Sequence, residues 1–181
     1  MKRLMGLWIF LCFVMAMGCA SNTPVAYSPN ENCKLVTFKP GLEPDGVNGI
    51  KWETKLSTLL GMKPHRKDAS YGGVDFYVRD GDTFKLGNGK LAPIQYGFWK
   101  EKFYVGVVAT QNLADWNALK EAVFKQYGEG AKPFTNKEEY LWVGKKTVMV
   151  LRYTDFLKEG IFYIKSDAVA KQIEGQYLGI K

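Results

Sequence analysis

Residues 91–109 read LAPIQYGFWKEKFYVGVVA, two strand-like stretches on either side of the dipeptide Lys100-Glu101. Both are rich in aromatic and β-branched residues, the composition that suits a pleated, half-buried surface. A connection this short makes the two strands pair antiparallel, because a parallel pair needs a crossover of about a dozen residues or more. The same arrangement extends in both directions. Upstream, Val74, Phe76 and Val78 alternate with Asp75, Tyr77 and Arg79, the two-residue period of a strand with one buried face. Downstream, strands are expected at 139–143, 147–154 and 160–165, joined by Gly144-Lys145-Lys146 and by residues 155–159. With those at 74–79, 91–99 and 102–109, the expected strands form two groups of three.

A helix is expected before each group. The first is short, with Thr54 as its cap, Leu56, Leu59 and Leu60 as its apolar stripe, and Gly61 as its stop. The second is longer. Asn112 is its N-cap with Asp115 three residues on, and Trp116, Leu119, Val123, Phe124 and Tyr127 share one face before Gly128 ends it. A last helix is expected at 166–176, capped by Ser166 or Asp167. The fold class is therefore α+β, an antiparallel sheet with helices packed on one face. Two helix-plus-three-strand units make a pseudo-repeat one reading; an ordinary α+β meander with this alternation is the other.

The beginning of the chain carries an address. Lys2 and Arg3 precede an uncharged, apolar run over residues 4–17, shorter than the roughly 20 residues a spanning helix needs. The run stops at Ala16-Met17-Gly18-Cys19, which resembles a bacterial lipobox with Ala16 where Leu is usual. That resemblance implies a signal peptide at 1–18 and acylation of Cys19. Gly18-Cys19-Ala20 also satisfies the small-x-small rule for ordinary cleavage after Ala20, which would release a soluble protein. By resemblance to lipoprotein sorting, Ala20 after the cysteine points to the outer membrane, facing the periplasm. Residues 19–46 are expected as a polar tether and connector, with Pro24, Pro29 and a short strand at 35–38 stopped by Pro40. A single globular domain is expected at 47–181.

A lipobox, a polar tether and helix-plus-antiparallel-strand units are together similar in layout to small bacterial envelope lipoproteins. These include the small lipoproteins of outer-membrane assembly machinery and the tandem-repeat β-lactamase-inhibitory proteins. The resemblance implies a protein that binds other proteins and is not an enzyme, and it carries over one functional residue, Cys19.

Composition supports a folded core. Hydrophobic residues make up 46% and aromatics 14% of the chain, far from the profile of a disordered segment. Removing Lys2 and Arg3 with the signal lowers the formal net charge from +7 to +5. The densest basic groups, 63–67, 132–137 and 145–146, suit a solvated surface, or attraction to anionic head groups or an acidic envelope partner. No run resembles a nucleic-acid motif, and nucleic acid is not an expected partner. Cys12 leaves with the signal. With Cys19 acylated, Cys33 has no cysteine to pair with, so no intramolecular disulfide is expected.

Catalytic motifs are missing from the sequence. There is no nucleophile elbow, phosphate loop, H-E-x-x-H or paired C-x-x-C. His65 stands among Pro64, Arg66 and Lys67, which read as a surface loop and would repel a cation. A Cys33–His65 nucleophile pair lacks an orienting third group. Asp80-Gly81-Asp82 reads as a tight turn, since two carboxylates fall short of the roughly six to eight oxygens calcium takes. No metal or cofactor is expected.

Aromatics are the unusual resource. Phe98-Trp99, Phe103-Tyr104 and Leu141-Trp142 place large apolar groups on both faces of their strands. Either the chain covers both faces itself, or one face is open to a partner. On the second reading Trp99, Tyr104 and Trp142 are the candidate binding surface. Two functional classes follow. One is a lipid-anchored, non-catalytic envelope protein with the membrane and an envelope protein as partners. The other is a soluble, secreted or periplasmic small-ligand carrier or enzyme whose site no motif reveals.

Overall fold

The structure is a computed structural model that describes residues 36–69 and 73–177. The expected signal peptide, Cys19, Cys33 and most of the tether lie outside the described residues.

A seven-stranded, wholly antiparallel sheet organises the molecule. Its strands are β3 (Met62–Asp68), β4 (Val74–Lys85), β5 (Leu91–Trp99), β6 (Lys102–Thr110), β7 (Glu139–Val143), β8 (Thr147–Thr154) and β9 (Glu159–Ser166). They lie in the order β3-β4-β5-β6-β9-β8-β7. Before them come a hairpin of β1 (Gly46–Val47) and β2 (Ile50–Lys51) and a 3-10 turn, Leu56–Thr58. The helices are α1 (Leu113–Tyr127) and α2 (Asp167–Tyr177). This is an α+β fold in which the sheet dominates.

The expected strands at 91–99, 139–143 and 147–154 coincide with β5, β7 and β8. The start of α1 follows from its cap, since Asn112 Oδ1 accepts from Asp115 N at 2.8 Å. Its end follows from Gly128, whose N–H donates to the Phe124 carbonyl at 2.8 Å. Ser166 caps α2, its hydroxyl oxygen accepting from Val169 N at 3.3 Å.

The first expected helix is corrected to a single 3-10 turn. Backbone partners outside the segment outcompete it: Leu56 N donates to the Glu101 carbonyl at 2.9 Å and Phe103 N to the Thr54 carbonyl at 2.9 Å. These bonds lay the segment along the β5–β6 turn. The turn expected at Asp80-Gly81-Asp82 is also corrected. β4 runs through it to Lys85, with Gly81 at φ +81° and a shift of register between Val78 and Thr83. This is an irregularity in a long strand. The loop expected around His65 is strand β3, an edge strand whose exposed side chains offer no alternation to read.

The helices do not share a face. On one side Tyr96, Phe98, Phe103, Tyr140, Trp142, Met149, Leu151 and Phe162 pack under Trp116, Leu119 and Val123 of α1. Val47, Ile50 and the half-buried Val36, Phe38, Trp52 and Leu56 complete that layer. On the other side Val74, Phe76, Trp99, Val105 and Val107 pack with Val169 and Ile173 of α2. α2 follows β9 directly and turns onto the face that α1 leaves open.

The two three-strand meanders, β4–β5–β6 and β7–β8–β9, meet through antiparallel pairing of their last strands, β6 and β9. Their helical parts are unequal, one 3-10 turn against a helix of 15 residues, and β3 has no counterpart. Residues 36–46, expected within the tether and connector, are built into the domain. Val143 N donates to the Val36 carbonyl at 3.1 Å, and Glu43 Oε1 accepts from Lys146 N at 2.5 Å and Thr147 N at 3.1 Å.

Candidate binding cleft

A cleft of about 780 Å³ opens where the β1–β2 hairpin, the end of β4 and the last turns of α1 converge. Its walls depend on two close approaches. Gly87, just past β4, donates its N–H to the Ala118 carbonyl at 2.8 Å, and a Cβ there would come within 2.7 Å of the Glu121 carboxylate. A side chain there would have to displace the end of Glu121 and crowd the Ala118 carbonyl at 3.1 Å. Gly106 of β6 makes the second approach, to the hairpin, since a Cβ there would meet Val47 at 2.8 Å.

The floor is apolar, made of Val47, Phe84, Ile94, Ile164 and Tyr127. Burial pushes the Tyr127 hydroxyl pKa up, so it stays neutral near pH 7. The polar lining comes from Asn48, Gln126, Lys85 and Lys125. Both lysines are exposed, and neither forms a salt bridge within the described residues. The cleft thus presents two ammonium groups in no salt bridge among the described residues beside an oily floor, with the Glu121 carboxylate against Gly87 on the same wall.

A hydrogen-bond chain clamps the hairpin to β4. Asn48 Nδ2 donates to Tyr96 Oη at 3.3 Å, and Tyr96 Oη donates to Asp82 Oδ2 at 2.6 Å. Arg79 Nε donates to the same oxygen at 2.6 Å. Burial pushes the Asp82 carboxyl up, but the bonds from Tyr96 and Arg79 and the guanidinium charge outweigh it and hold the pKa below the usual value. Burial, reinforced by the Asp82 carboxylate, pushes Tyr96 up to about 12.

A similar group surrounds Glu138. Its carboxylate accepts from Tyr140 Oη at 3.0 Å, Lys132 Nζ at 3.0 Å and Lys120 Nζ at 3.3 Å. Burial opposes ionisation of Glu138, yet these bonds hold its pKa low, while Tyr140 is pushed up to about 12 by burial and by Glu138. Near pH 7 each carboxylate is ionised and each tyrosine protonated. Neither pair is poised to exchange a proton there, so both serve to fix geometry.

The sequence-derived surface candidates do not form a surface. Trp99 is 3% exposed and packs on the α2 side, with Lys100 Nζ 4.5 Å from its ring centre. Trp142 is fully buried on the opposite side, 6.2 Å from Phe124. Tyr104 is half-buried against the α2-side cluster. Adjacent aromatics do point to both faces, but the chain buries Trp99 on one and Trp142 on the other. His65 is exposed on β3, and Cys19 and Cys33 lie outside the described residues.

Sequence reasoning missed Asn48, Lys85, Lys125 and the floor. A readable signal was present in Asp82, Phe84 and Leu86, which alternate with the exposed Thr83 and Lys85 and would have carried β4 past Gly81. Among the described residues no cluster of three or more His, Cys, Asp or Glu could hold a metal. No described helix is long and apolar enough to cross a membrane. Comparison with protein-family models, with curated proteins and with solved structures finds no match.

Proposed function

We propose that this protein is an exported, lipid-anchored envelope protein that works as a non-catalytic binding module, with an amphipathic anion as its ligand. One observation carries the choice of ligand: Lys85 and Lys125, without ion-pair partners among the described residues, border a cleft floored by Val47, Ile94 and Ile164. An apolar tail would displace water from the floor, worth about 25 cal/mol per Å² buried. An acidic head would meet the two ammonium groups, each worth roughly 1 kcal/mol or more at contact distance near the surface.

The anchor is proposed at Cys19, with the outer membrane as the site. Cys19→Ser should move the protein out of the membrane fraction. An intact mass with an unmodified N-terminus at Ser21 would contradict the anchor and favour a soluble carrier with the same cleft.

Titration calorimetry with dodecyl phosphate tests the cleft itself. Lys85→Glu combined with Lys125→Glu should weaken binding about tenfold or more, the equivalent of roughly 1.4 kcal/mol. Both positions are exposed, so the fold should tolerate the change. Equal affinity in the wild type and the double variant would overturn the assignment.

A further inference from the structure

Four of the seven large apolar side chains left exposed among the described residues lie at one end of the sheet. Phe156 is 93% and Leu157 59% exposed, at the tip of the β8–β9 turn. Leu91, the first residue of β5, and Leu113, in the first turn of α1, are exposed as well. The topology places all four together. Thr110, ending β6, pairs with Gly160 at the start of β9, and α1 begins three residues later. Lys90 beside Leu91 reaches Asp115 of α1 at 2.7 Å. Single exposed leucines are ordinary, but a phenylalanine and a leucine side by side at a hairpin tip, with two more nearby, form a patch that calls for a cover.

The path of the chain points to what covers it. Val36 pairs in parallel with Trp142 of β7. β7 begins at Glu139, opposite Arg152 near the β8–β9 turn, and runs away from that turn. At Val36, where the described chain begins, its direction is therefore away from the apolar tip. Arg152 and Lys137, both exposed and in no salt bridge among the described residues, flank the same end around a depression of about 450 Å³ that Glu138, Glu139 and Asp155 also line. Exposed apolar side chains set among charged groups of both signs suit the boundary between zwitterionic phospholipid head groups and acyl chains.

We propose that this end of the molecule is a membrane-contact surface, with Phe156 and Leu157 inserted into the interfacial layer of a phospholipid bilayer. The inference rests on the anchor reading only for how the domain is brought to the bilayer. Val36 lies seventeen residues after Cys19, a reach of at most roughly 60 Å. An anchor that long leaves the orientation open, and the apolar tip selects it.

Spin labels on the full chain decide the matter. In a Cys33→Ser background, Phe156→Cys is labelled and reconstituted in vesicles of phosphatidylethanolamine and phosphatidylglycerol. Leu60→Cys, at a position 89% exposed beyond the 3-10 turn, is the reference. Oxygen, which partitions into lipid, should relax the label at 156 several-fold more than at 60, and a water-soluble nickel chelate several-fold less. Equal accessibility of the two labels would overturn the proposal. So would shielding of the 156 label without vesicles together with dipolar broadening, which marks a second copy as the cover. Intact mass reports the anchor separately. If Cys19 is unmodified, flotation replaces reconstitution: wild type should float with the vesicles and Phe156→Ser/Leu157→Ser should not, and flotation of neither contradicts the membrane surface.

Discussion

Tyr96 concentrates in one side chain much of what holds the cleft in shape. Its ring is buried in the core, and its hydroxyl joins Asn48 of the hairpin to Asp82 of β4. Tyr96→Phe keeps the ring and removes the bond to an ionised carboxylate, which should cost about 1.5–3 kcal/mol in a urea titration. Proton linkage gives a second reading. Tyr96 and Tyr140 are raised from 10.0 to about 12, so the folded state holds their protons more tightly than the unfolded state. The stability this confers is complete below pH 10 and lost as pH rises through 12. Asp82 and Glu138 act with the opposite sign. Their lowered pKa values add stability above the ordinary carboxylate range, lost as the pH falls through the folded values. The alkaline fall should be shallower in a Tyr96→Phe/Tyr140→Phe double variant, and an unchanged slope would contradict the assignment. Nothing local in the sequence announces this chain. Asp82 and Tyr96 meet only because β4 continues past Gly81, where the residues read as a turn.

Elements differ in how openly the sequence declares them. α1 is fully legible, because its cap, its stripe and its terminating glycine are all local signals. β5, β7 and β8 are legible because short turns and dense β-branched and aromatic residues bound them. The 3-10 turn is not, because its backbone bonds go to the distant β5–β6 turn rather than within the segment. β3 hides for a different reason. It is paired on one side only, and Pro64, a bulge and paired lysines, Lys63 with Asp80 and Lys67 with Asp75, blunt its open edge. Such a strand looks polar because it must resist further pairing. The opposed placement of α1 and α2 can be tested one residue at a time. Leu119 is fully buried between α1 and the sheet, so Leu119→Ala should cost about 3 kcal/mol in a denaturant titration. Leu113→Ala, on the exposed first turn, should stay within about 0.5 kcal/mol. A similar cost at both would mean that the stripe of α1 does not face the core.

At the scale of the whole molecule, one sheet joins two meanders through β6 and β9, and each face has its own helix. The expectation of an antiparallel α+β fold follows from the turns. Of the two readings of the adjacent aromatics, an open face fails at Trp99 and Trp142, both buried by the chain itself. α1 and residues 36–59 cover one face, and α2 covers part of the other, where Val148, Val150, Ile161 and Tyr163 stay half-buried. The proposed binding surface lies at the border of the sheet, where β4 overhangs, the hairpin folds back and α1 ends. Lys85, Lys125 and Asn48 converge there from three elements far apart in sequence, which no local pattern reveals. Hydrogen–deuterium exchange with and without dodecyl phosphate locates the ligand most directly. Binding in the cleft predicts slower exchange at residues 46–48, 83–87 and 122–127, with the β8–β9 turn unchanged. Calorimetric binding with no slowing at those three segments, or with slowing confined to 155–158, would contradict the account.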